Sequence, residues 1–389
     1  MNQILLFIGL VIILCLTIKP VGKKLPFPTL LIFIALGMLL GVNGPAHIDF
    51  SDYALTETVC STALLFIMFY GGFNTNIDRA KPVAVPAVLL STLGVVITAG
   101  ITGVFAHFAL GFDWIDGLLL GSVVASTDAA SVFSVLREHS LSLRGGTDSL
   151  LEVESGSNDP VAYMLTAVLA TLAAGGDINI PVLLAKQIIL GVGLGLAIGW
   201  AAGRLIERAH ATAEGAQTIF LFAVAIVAYA LPSYLGGNGF LAVYLAGIVL
   251  GASDITGKVE MAHFFDTLTK MAEMTIFFLL GLLVTPARLP QMLLPGLALM
   301  AFMLFVSRPI AVGVLLAPFK TNPRQVALVS WAGLRGAASV VFSLFTVVAG
   351  VPGGHDLFDL VFVIAVSSIV VQGSLLPAGA KKLNMIDAE

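Results

Sequence analysis

The sequence has 389 residues, 58% of them hydrophobic and 11% charged, with a net charge of −4 and a mean hydropathy of +1.02. A soluble domain carries roughly 25% charged residues, so a soluble globule is excluded and no nucleic-acid partner is expected. The apolar runs are about 15 to 28 residues long, too long for barrel strands of about 10, so the predicted fold class is an all-α polytopic membrane protein.

In chain order, thirteen apolar runs read as spans: 3–18, 27–42, 57–73, 83–110, 114–136, 147–175, 181–207, 215–234, 238–252, 261–285, 289–317, 323–350 and 356–379. The first has no basic residue before it and no small-residue cleavage site after it, so it reads as a retained span. The two cysteines, Cys15 and Cys60, lie inside separate runs. No disulfide, metal site or cofactor is expected from them.

Basic residues collect in every second loop. Lys19, Lys23 and Lys24 follow the first span, Arg79 and Lys81 the third, and Arg137 and Arg144 the fifth. Arg204 and Arg208 end the seventh, Lys258 follows the ninth, Lys320 and Arg324 the eleventh, and Lys381 and Lys382 the last. The intervening loops are acidic or neutral, with Arg288 and Lys186 as exceptions. The positive-inside rule then puts the N-terminus outside and the C-terminus in the cytoplasm, in a multi-pass protein of the plasma membrane.

Thirteen spans divide as six, one and six. That gives a first repeat over 1–176, a linker helix over 181–208, a second, inverted repeat over 214–380, and a short tail over 381–389. The fifth span of each half is interrupted by small or polar residues, "ASTDAASVF" in one and "AGLRGAAS" in the other. Paired interruptions of this kind point to a substrate site near the membrane midplane.

Three constellations carry the chemistry. Thr127-Asp128 lies mid-span, where a carboxylate costs about 2.5–3.5 kcal/mol on an insertion scale. In "EVESGSNDP", Ser155 and Asp159 share one helix face, and Glu154 and Asn158 share the next. Pro160 has no N–H and frees the carbonyl of Gly156. A carboxylate, a hydroxyl and bare carbonyls together suit a hard monovalent cation. Asp148 and Glu152 read instead as acids favoured at a helix N-terminus. Arg335 stays charged inside the twelfth span and needs a counter-ion, for which Glu154 is the leading candidate. Ser307-Arg308-Pro309 reads as a kink. Asp266, Lys270 and Glu273 read as a charged helix face.

"ASTDAASVFSVL", "VESGSNDP" and "GLRGAASVVFSL" together resemble the monovalent cation:proton antiporter-1 family across nearly the whole chain. The resemblance implies two crossing interrupted helices (spans 5 and 12), a core that moves against an interface domain, and a homodimer. It implies Asp159 as the carboxylate that binds ion and proton, with Ser155, Thr127 and Asp128 as further ligands. Asn158 stands where electrogenic relatives have a second aspartate, which implies one-for-one exchange. Glu154 and Arg335 match a structural ion pair. Tyr70, in "FYGG", replaces an acidic residue that many sodium/proton members carry. That favours the potassium/proton branch, whose members often carry a cytoplasmic domain after the last span.

Physical reasoning gives the same exchange. Burial disfavours a bare charge on Asp159, and a proton or a partly dehydrated K+ or Na+ can neutralise it, but not both together. Rival classes fit less well. An intramembrane aspartyl protease would use Asp128 and Asp159 but requires glycine before an aspartate, and Asp159 follows Asn158. A rhomboid-type hydrolase would need glycine where Val153 stands. A cation channel would conduct without proton coupling.

Overall fold

A computed structural model describes residues 6, 9–17, 30–42, 44–45, 47–138, 141–209, 215–255 and 257–387. Lys19, Lys23 and Lys24, on which part of the orientation argument rests, lie outside them, as does the side chain of Arg137. The described residues form helices and one isolated two-residue β-bridge. Six of the helices are long and apolar enough to cross a membrane.

Helix starts follow local chemistry. Asp52, Asn76 and Asn238 each accept a hydrogen bond from the backbone N–H three residues on, at 2.9, 3.2 and 3.0 Å. These caps satisfy donors that a helix leaves orphaned. Pro323 opens its helix at the first turn, where its missing N–H costs nothing.

The helices pack in two groups. Leu30–Leu40, Tyr53–Asn74, Ile180–Ala209, Ala216–Tyr234, Gly239–Ala252 and Lys258–Leu283 pack mainly on one another. Glycines allow this: a Cβ at Gly72 would collide with the backbone of Tyr244, and one at Gly281 with that of Ile34. Such small-residue contacts replace the hydrophobic drive that lipid removes. The second group comprises Ala84–Leu110, the interrupted segment Trp114–Glu138, Thr147–Ala173, Leu289–Phe319, Pro323–Val348 and Gly354–Lys382.

Three helices of the second group contain a π-helical turn, at residues 90–94, 303–307 and 369–373. Such turns re-aim the residues that follow them and frequently mark functional sites. The two spans read as interrupted are broken by unwound backbone at the expected places. One is helical over Trp114–Val123 and Ala129–Glu138, and the other over Pro323–Trp331 and Ala337–Val348. Both broken segments pack against Thr147–Ala173.

Candidate functional site

The two unwound segments meet. The Asp128 amide donates to Leu334 O at 2.8 Å, joining the backbone of one break to the other. Arg335 Nη1 donates to Ala125 O and Ser126 O, both at 2.8 Å. The peptide carbonyls released by the first break are therefore satisfied by a cation from the second. The Arg335 amide is itself held by Ser368 Oγ at 2.9 Å. Gly336 has no side chain because the Asp128 carboxylate fills that space.

The helix Thr147–Ala173 lays Glu154, Ser155, Asn158 and Asp159 against this crossing, each no more than 5% exposed. Ser126 Oγ donates to Asp159 Oδ1. Ser155 Oγ donates to Thr127 O at 2.5 Å, and Thr127 Oγ1 lies 3.4 Å from Ser155 Oγ. Asn158 Nδ2 donates to Thr127 Oγ1, and at 3.3 Å to Glu154 Oε1. The Asp128 carboxylate accepts from Ser131 N at 3.1 Å and Ser131 Oγ at 2.6 Å, capping the helix that starts at Ala129. Its charge also acts on Asp159.

The expected ion pair takes a different partner. Glu154 is bound by Arg308, with Nη1 to Oε1 at 2.9 Å and Nη2 to Oε2 at 2.8 Å. Both side chains are at most 3% exposed. Arg335, the counter-ion expected from the sequence, spends its guanidinium on the freed carbonyls. Arg308 opens the helix Arg308–Leu316 directly after the π-helical turn at 303–307, and from there its guanidinium reaches Glu154. The kink reading of Arg308 therefore missed its role. The signal was present in the sequence, since an arginine inside a span needs a partner or a wet cavity as much as Arg335 does.

Other expectations fall as follows. Asp159, Ser155, Thr127, Asp128, Asn158, Glu154 and Arg335 come together, and Ser126 joins them as a direct partner of Asp159. Tyr70 lies elsewhere, its hydroxyl 3.5 Å from Asp266 Oδ1. Asp266 also pairs with Lys270 on the charged face of Lys258–Leu283. Asp148 accepts from the Leu143 amide at 3.0 Å and so ties down the preceding loop.

Chemically, Asp159 is the distinctive group. Glu154 is neutralised by a bidentate guanidinium, and Asn158 carries no charge. Among the described residues Asp159 makes no ion pair. It offers a carboxylate beside the Ser126 hydroxyl, a pair suited to a proton or a monovalent cation.

Comparison with known proteins finds related transporters. The family model described as "Sodium/hydrogen exchanger, transmembrane" matches residues 9–382. A K(+)/H(+) antiporter NhaP2 of Shewanella sp. (strain ANA-3) is 39% identical over 386 residues, covering 98% of this chain and 67% of its own length. A Na(+)/H(+) antiporter ApNhaP of Aphanothece halophytica is 24% identical over 388 residues, covering 94% and 71%. The fold is similar to that of the sodium proton antiporter MjNhaP1 of Methanocaldococcus jannaschii, with a TM-score of 0.84, 22% identity, and 98% and 99% of the two chains covered.

Proposed function

This chain belongs to the sodium/hydrogen exchanger family and is a cation/proton antiporter, and from that premise we propose that it exchanges K+ for H+ one for one, with Asp159 as the group both compete for. The observation that carries the reading is the contrast on one helix. Glu154 is paired by Arg308, whereas Asp159, five positions on, is buried and makes no ion pair among the described residues. An isolated charge in a medium of low dielectric is costly. Each state that crosses the membrane is therefore one in which Asp159 is neutralised, by H+ or by the cation. Ser155 Oγ, Thr127 Oγ1 and Ser126 Oγ are the neighbouring oxygens that replace part of the ion's water. Asp128 acts on the site through its charge while its oxygens cap a helix.

The preference for K+ is supported by relatives named K(+)/H(+) antiporters at 37–39% identity, against the sodium antiporter at 24%. Transport by alternating access, in thirteen spans with inverted repeats over 1–176 and 214–380 joined by a linker at 181–208, belongs to the same reading. Its support is the pair of interrupted segments and the matching π-helical turns at 90–94 and 303–307. Loop 141–146 shares a face with Gln325 and Ile386. This clustering of the basic loops supports a cytoplasmic C-terminus and an external N-terminus. The first helical group is the natural interface for a homodimer in a plasma membrane.

The test is dye-reported proton flux in proteoliposomes challenged in turn with K+, Na+, Rb+ and Li+. The proposal expects K+-driven flux, a rate independent of imposed membrane potential, and none of it in Asp159→Asn. Normal exchange in that variant would refute the role of Asp159. A response to Na+ but not K+ would reverse the selectivity, and a voltage-dependent rate would exclude one-for-one exchange.

A further inference from the structure

The turn that opens the helix Gly239–Ala252 reaches from the first helical group to the site helix of the second. It reads "LGGNGF". Gly236 takes a left-handed φ of +79°, a conformation that glycine adopts at little cost. A Cβ at Gly237 would lie 2.6 Å from that of Leu190, and one at Gly239 would lie 2.5 Å from Tyr229 O. The glycines thus let the chain reverse where no side chain fits, and the turn delivers Asn238 to the site helix Thr147–Ala173. Asn238 is 1% exposed. Its Nδ2 donates to Pro160 O at 2.7 Å, on the residue directly after Asp159.

The rest of Asn238 is anchored in the first group. Its Oδ1 accepts from Leu241 N at 3.0 Å, and its own backbone N–H donates to Gln187 O, on Ile180–Ala209, at 3.2 Å. A fixed frame therefore aims one amide donor across the boundary between the groups. Two ring contacts flank it. A Cβ at Gly156 would lie 2.7 Å from the Tyr244 ring, and the Tyr163 ring meets that of Phe240 edge-on at 5.0 Å. Gly156, Pro160 and Tyr163 recur at helical spacing and share one face. Tyr244 is met first along that face and Phe240 last, so the two helices run antiparallel along this seam.

Ring contacts tolerate a range of separations, whereas a hydrogen bond is lost once its atoms are about 3.6 Å apart. A shift of one group against the other by about 1 Å therefore breaks the bond to Pro160 and leaves a buried donor unpaired, which costs free energy. We propose that Asn238 is a positioning residue for antiport. It latches the turn that carries Asp159 to the first helical group, favours the arrangement of the groups described here over the one reached after crossing, and releases at each transport step. This inference rests on the antiport reading given above and names a residue that biases it. Asn238 acts through the Pro160 backbone and not as an ion ligand.

The experiment measures dye-reported exchange by the full chain in right-side-out and in everted vesicles, titrating K+, and separately Na+, at the external face in one and the cytoplasmic face in the other. The ratio of the two half-saturating concentrations reports the balance between the two arrangements, because apparent affinity falls with the fraction of protein able to receive the ion. Asn238→Ser keeps a helix-capping oxygen but is too short for the Pro160 carbonyl. It should change that ratio by about two- to tenfold, the worth of one hydrogen bond. Asn238→Ala should change it as much, with a lower melting temperature because the cap is lost too. A residue that only caps its helix predicts a wild-type ratio in Asn238→Ser. A wild-type ratio there, whether with a lower maximal rate or with equal shifts at both faces, overturns the latch. If Asn238→Ala does not fold, Asn238→Ser decides alone. A wild type without cation-driven flux in either vesicle overturns the antiport reading, whereas wild-type exchange with an unchanged ratio in Asn238→Ser overturns only this inference.

Discussion

The two interrupted segments look alike in sequence but do opposite work. The first, around residues 124–128, releases carbonyls and presents Ser126, Thr127 and Asp128. The second, around 332–336, presents a cation. Arg335 caps the carbonyls of Ala125 and Ser126, and Ser155 caps that of Thr127. The free backbone that would make the first break an ion cage is thus consumed internally. What remains for a transported ion is the Asp159 carboxylate and nearby hydroxyls. An unwound helix supplies ligands only when nothing charged reaches its carbonyls first.

The strongest way to break this comparison is to test which arginine serves Glu154. Arg308→Ala leaves a buried carboxylate unpaired and should cost about 3–5 kcal/mol, read as a lower melting temperature in detergent. Adding Glu154→Gln removes the stranded charge and should recover much of the loss. The same Glu154→Gln change should rescue Arg335→Ala far less, because the groups abandoned there are the carbonyls of Ala125 and Ser126. Equal rescue of both arginine variants would mean that Glu154 is shared between them.

How much of this was legible in the sequence follows from what each signal encodes. Helix positions were, because lipid demands long apolar runs and breaks them only at cost. The two interruptions were as well, because Thr127-Asp128 and Gly333–Gly336 are the wrong residues for a lipid-facing helix, whereas their crossing was implied only by the family resemblance. Which arginine met Glu154 was not. That choice depends on which guanidinium the packed helices bring to Glu154, a tertiary contact between residues 154 positions apart. Asp128 was legible as a polar group at a break. Its capping role required knowing that the helix restarts at Ala129.

A smaller effect is expected from Gly336→Ala. The added Cβ would occupy the place of the Asp128 carboxylate, and overpacking of this kind costs typically about 1–3 kcal/mol. The added Cβ would also meet the Cβ and Cγ of Asp128, whose carboxylate and amide are both hydrogen-bonded, so the backbone there must shift and the melting temperature should fall toward the upper end of that cost. The variant's transport rate should fall more than its stability, because Asp128 would be pushed off the cap that fixes Ala129–Glu138. Wild-type transport in this variant would show that the second break tolerates side chains and that its glycine serves only flexibility.

The smallest effects sharpen the comparison furthest, because they compare one hydroxyl from each interrupted segment. Ser126 Oγ donates to the Asp159 carboxylate, whereas Ser339 Oγ reaches Ser126 O at only 3.5 Å, a length at which a hydrogen bond contributes little. Ser126→Ala should leave the fold intact, at a cost near 1 kcal/mol, yet raise the half-saturating cation concentration by about two- to tenfold. Ser339→Ala should change stability by less than about 0.5 kcal/mol and leave transport as it is. Measured in the same liposomes, the pair asks whether ligands come from the first break alone. Should Ser339→Ala weaken cation dependence as much as Ser126→Ala, the second break also contributes to the ion's coordination, and the division of labour between the two segments is not the one drawn from Arg335.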